Sequence, residues 1–94
     1  MIEQALRDAL TKLHVEGCPM AAPATHEATI NVGQRRWRSF ERRNRRRHPM
    51  RVDRVEDLAR GLWEAFETGD LARGPEMQDY RCVARALADV LDPR

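Results

Sequence analysis

The sequence predicts a small, mostly helical domain of three to four helices, and three observations point to it. In three segments apolar residues recur at three- and four-residue intervals, the spacing that lines one face of a helix. Gly17, Pro19, Pro23, Gly69 and Pro93 fall at the ends of those segments, where helices stop. A chain of 94 residues suits one core, since chains usually divide only at about twice this length. The expectation is a single domain over 1–94 that carries an arginine-rich segment at 34–54.

The first helix runs from Ile2 to about Glu16, because Ile2, Leu6, Leu10 and Leu13, with Ala5 and Ala9, form one stripe. Gly17 ends it, since glycine reaches the left-handed conformation without steric cost. Cys18 to Pro23 holds two prolines and no period, so a loop is expected to about His26. The next segment has two readings. Asn31 and Gln34 have capping-box spacing and would start a helix near Val32. A short β-hairpin near residues 28–40 is the alternative, with Thr29 to Val32 as one strand, Gly33 and Gln34 as the turn, and Arg35 to Phe40 returning. A strand would put Trp37 and Phe40 on opposite faces, whereas about 100° per helical residue sets Phe40 about 60° from Trp37. Helix over 34–47 is therefore favoured, with eight arginines on an arc of about 200° and Trp37, Phe40, Glu41 and Asn44 on the rest.

The third helix begins at the capping-box pair Asp53 and Glu56, carries Val55, Leu58, Ala59, Leu62 and Phe66, and stops at Thr68 and Gly69. The fourth starts at Pro75, carries Met77, Tyr80, Val83, Ala84, Leu87 and Leu91, and ends before Pro93. The first, third and fourth stripes are expected to bury one another, with the basic segment lying across the surface.

Composition narrows the function. The chain is too short for a two-half dinucleotide fold or an eight-fold barrel, and only 5% is aromatic, little material for a deep substrate pocket. No phosphate-binding glycine loop, nucleophile triad or carboxylate pair stands out, so a binding module is expected, not an enzyme, with no cofactor. No apolar run approaches the roughly 20 residues that span a bilayer, and Met1 to Leu10 lacks a signal-peptide core, so a cytoplasmic protein without a membrane partner is expected. Cys18 and Cys82 are then free thiols and buried, Cys82 as a small core residue beside Val83 and Ala84. His14, Cys18 and His26, with His48 or Cys82, lack the paired spacing of a zinc site, and no metal is expected. Trp37, Trp63 and Tyr80 are read as core.

The distribution of charge is the informative feature. The net +2 divides into −2 over residues 1–34, +8 over 35–54 and −4 over 55–94. Arginine supplies 16 of the 17 basic residues, and ten of those lie within 35–54. Codon usage explains abundance but not this clustering. Guanidinium forks match phosphate oxygens, and each neutralised phosphate releases a counterion. The candidate nucleic-acid-binding residues are Arg35, Arg36, Arg38, Arg42, Arg43, Asn44, Arg45, Arg46 and Arg47.

At its centre, the string Arg42, Arg43, Asn44, Arg45, Arg46 and Arg47 resembles the core of the arginine-rich RNA-binding helix of lentiviral Rev proteins, over those six positions. The resemblance implies that Arg43 and Asn44 read bases in a widened RNA groove, which favours RNA somewhat over DNA. Ser39 and His48 stand where further base-reading arginines would be expected, and Pro49 ends the helix early. Two other readings compete. In one, the arginines form a solvated face neutralised by the acids of the last two helices. In the other, the chain is a small phage-type inhibitor, anti-CRISPR-like or directed at transcription, that docks on an acidic protein surface or a nucleoprotein complex.

Overall fold

Four helices carry the chain through residues 2–47, 49–67 and 80–92, the residues that the structure, a computed structural model, describes. They are α1 (Ile2–Val15), α2 (His26–Arg43), α3 (Arg51–Glu67) and α4 (Arg81–Leu91). The mostly helical class read from periodicity is the class observed, and no strand occurs among the described residues.

The stop after α1 is built as its sequence requires. Gly17 takes a left-handed φ of 96°, its N–H donates to the His14 carbonyl, and the Cys18 N–H reaches back to the Leu13 carbonyl, which satisfies two orphan acceptors of the last turn. Pro19 and Pro23 each open a single turn of 3-10 helix, Pro19–Ala21 and Pro23–Thr25. His26 follows at the head of α2, buried, with Nε2 donating to the Ala21 carbonyl at 2.7 Å.

Helix α2 departs from expectation at both ends. It starts at His26 instead of near Val32, because the inward residues His26, Thr29, Ile30, Gly33, Trp37 and Phe40 continue the helical period six residues upstream of Val32. That buried stripe overrides both the Asn31–Gln34 capping signal and the hairpin at 28–40. The helix ends at Arg43, not Arg47. Asn44 leaves helical geometry, and its backbone N–H and side-chain Nδ2 both donate to the Phe40 carbonyl, at 3.0 and 2.9 Å. Residues 44–47 form a turn, so the six-residue arginine–asparagine string is not presented as one helix. Helix α3 starts two residues before Asp53, at Arg51. The expected start of the fourth helix at Pro75, the stop at Thr68 and Gly69, Met77 and His48 lie outside the described residues.

The core is shared by all four helices, and this corrects the expectation that the basic segment only crosses the surface. Leu6 and Leu10 of α1, Ile30 and Trp37 of α2, Leu58 and Leu62 of α3, and Val83 and Leu87 of α4 form one buried cluster. Burying each such aliphatic side chain contributes about 1.5–3 kcal/mol. α1 packs chiefly on α4, and α3 packs on both α2 and α4. Gly33 makes the close passage of α4 feasible, since a Cβ there would stand 2.8 Å from Leu87 Cδ1. Trp37 and Tyr80 are buried, and Trp63 packs half-buried against the cluster. Cys18 is half-buried, but Cys82 is exposed, contrary to expectation, because about 100° per residue turns it away from the Val83–Ala84–Leu87–Ala88 stripe.

Candidate nucleic-acid interface

The ten arginines of residues 35–54 divide into two groups by what they touch. Four are committed to the fold. Arg36 forks onto Asp57 of α3, Nε to Oδ2 at 3.0 Å and Nη2 to Oδ1 at 3.1 Å, and Glu64 stands 3.9 Å from its Nη1. Arg43, about two turns further along the same side of α2, places Nη2 3.3 Å from both oxygens of the same carboxylate, while its Nε donates to Ser39 Oγ at 3.4 Å. Asp57 is only 14% exposed, so one shielded carboxylate fastens α2 to α3 through two guanidiniums. Gly61 permits the arrangement, because a Cβ there would lie 2.7 Å from Cγ and Cδ of Arg36.

Arg54 and Arg51 are committed in the same way to the end of α4. The Arg54 guanidinium lies 5.2 Å from the centroid of Trp37 and 5.9 Å from that of Phe40, and it pairs with Asp92 at 3.6 Å. It therefore covers the two aromatic rings of α2 with a cation held by the C-terminal end of the fold. Arg51 pairs with Asp89 and donates from Nη1 to the Asp92 carbonyl at 3.2 Å. Outside the basic segment, Arg81 donates from Nη2 to Glu56 Oε2 at 3.1 Å, and that hydrogen bond holds its pKa above the ordinary arginine value.

Six arginines remain. Arg35, Arg38, Arg42, Arg45, Arg46 and Arg47 are all exposed, and none pairs with a carboxylate among the described residues. Arg35 makes a long 3.4 Å contact to the Asn31 carbonyl. At about 100° per residue, Arg35, Arg38 and Arg42 fall within about 60° of one another, on the side of α2 turned from Trp37. Arg45, Arg46 and Arg47 follow in the turn that Asn44 starts, all three exposed. Glu41 is exposed beside them and forms no ion pair among the described residues.

Of the nine candidate residues, the structure thus leaves six exposed, three on one side of α2 and three in the turn after it, uses Arg36 and Arg43 as struts, and uses the Asn44 amide nitrogen to close α2. The strut roles had a sequence signal: Arg36 and Arg43 are seven residues apart, hence within about 20° of each other and well off the free stripe. Their partner Asp57 had none, because its distance across the bundle is set by packing. Among the described residues, no three His, Cys, Asp or Glu side chains converge as a metal site, and no helix is long and apolar enough to cross a membrane. Comparison with family models, curated proteins and solved structures finds no match to this chain.

Proposed function

We propose that this chain binds nucleic acid through its phosphate backbone, using Arg35, Arg38, Arg42, Arg45, Arg46 and Arg47. One observation carries the reading: the acids of α3 and of the end of α4 pair with four of the ten clustered arginines and leave six exposed within thirteen residues of chain. A face serving only as solvated surface would be served equally by mixed charges, whereas six adjacent guanidiniums repel one another by a few tenths of a kcal/mol per close pair and are relieved by a polyanion. The phosphate contacts carry no base preference of their own, so the proposal covers RNA and DNA.

A second reading has its own support. Met50 and Val52, just beyond the basic turn, are 70% and 58% exposed, and methionine beside arginine is enriched at protein interfaces. On that reading the face docks on an acidic protein and acts as an inhibitor of that partner. Electrophoretic mobility shift against mixed RNA and DNA at about 0.15 M salt separates the two. A shift at micromolar protein is expected, and its absence would promote the protein-directed reading.

A further inference from the structure

We infer that the ligand of the arginine face is a double-stranded nucleic acid, held by its backbone without regard to base sequence; the inference rests on the nucleic-acid reading above and adds the class of strand. Among the described residues, the aromatic rings and the asparagine beside this face are engaged in the fold. The Asn44 amide donates to the Phe40 carbonyl at 2.9 Å, with the backbone N–H of the same residue on the same oxygen. Trp37 and Phe40 are 6% and 8% exposed, with the Arg54 guanidinium over both rings and Asp92 holding it there. Arg36 and Arg43 are forked onto Asp57. The notch between α2 and α3 is lined by Val32, Arg35, Arg36, Ser39, Gly61 and Ala65, which offer no ring to stack on.

What the face does offer is a fixed row of charge. Arg35, Arg38 and Arg42 ride on a helix clamped to α3 by Asp57, and at 1.5 Å per residue they span about 10.5 Å of its axis. Over that length a duplex carries about six phosphates, at one per roughly 1.7 Å. A flexible single strand loses conformational freedom when immobilised, and proteins that hold it offset that loss by stacking its bases on aromatic rings. With no aromatic ring free beside it among the described residues, the row discriminates by charge density and rigidity, and both favour the duplex.

The test is fluorescence anisotropy at about 0.15 M salt, using two DNA duplexes of unrelated sequence, one RNA duplex and the matching single strands, each of about 20 nucleotides per strand. The expected result is binding of the two DNA duplexes within about threefold of each other and of single strands at least about tenfold more weakly. Tight binding to either the DNA or the RNA duplexes supports the inference and tells which helical form is preferred. Arg38→Gln with Arg42→Gln should weaken both DNA duplexes alike, by about tenfold. Single strands that bind as tightly as duplexes, or a more than tenfold preference for one duplex sequence, would overturn the inference while leaving nucleic-acid binding intact. No binding to any of these probes would instead remove the reading on which it rests.

Discussion

Two pairs of arginines, each seven residues apart on one helix, do unlike things here, and their partners decide it. Arg36 and Arg43 share the shielded Asp57 carboxylate, whereas Arg35 and Arg42, each their immediate neighbour, face solvent. Asp57→Asn would leave two guanidiniums without their counter-charge, and hydrogen bonds to charged groups contribute about 1.5–3 kcal/mol, so urea unfolding should show a loss of about that size. Arg36→Gln should destabilise similarly, while Arg38→Gln should stay within about 0.5 kcal/mol, as exposed positions do. Equal effects from Arg36→Gln and Arg38→Gln would contradict the division into struts and free charges. The cysteines offer a second check at this scale. Exposed Cys82 should react with a thiol reagent in the native protein near the rate of a free thiol, and half-buried Cys18 more slowly. Cys82 was legible as an outward residue from its angle on α4, but its apolar neighbours Val83 and Ala84 pointed the other way.

At the scale of elements, periodicity carried most of the fold. Leu6 and Leu10, Leu58 and Leu62, and Val83 and Leu87 announce α1, α3 and α4 because each pair sits one turn apart on a face that has to be buried. α2 was harder to read. Its inward face includes His26, Thr29 and Gly33, residues that do not look apolar, and each is buried for a reason visible only in space. His26 has the Ala21 carbonyl to donate to, and Gly33 makes room for Leu87. The end of α2 was equally hidden, since arginine is a good helix former and nothing in Arg42 to Arg47 but Asn44 signals a stop. Because α2 is already helical to Arg43, adding duplex should change the helical circular dichroism little. Residues 44–47 are the described ones that adjoin α2 outside the helix, and their joining it would add no more than about 5% of the total; a large gain in hydrogen-exchange protection within 26–43 on adding duplex would contradict the helix seen there.

For the whole molecule, charge is both internal support and external signal. The acidic block at 55–94 supplies Asp57, Asp89 and Asp92, which tie Arg36, Arg43, Arg51 and Arg54 into the bundle, and the remaining six arginines of the segment are exposed. The sequence displayed the charge blocks in full but not this division, because ion pairs across a bundle depend on which faces meet. The division makes the number of phosphate contacts a quantity the fold specifies. If the six free arginines are the contacts, the log of the binding constant for nucleic acid should fall against log salt with a slope of about −4 to −5, at about 0.7–0.9 per phosphate. Arg38→Gln, Arg42→Gln and Arg46→Gln together should flatten that slope by about 2 to 3, and Arg36→Gln, measured where the variant remains folded, should leave it unchanged. A slope near zero, or a slope that responds to Arg36→Gln as strongly as to the exposed arginines, would contradict the account.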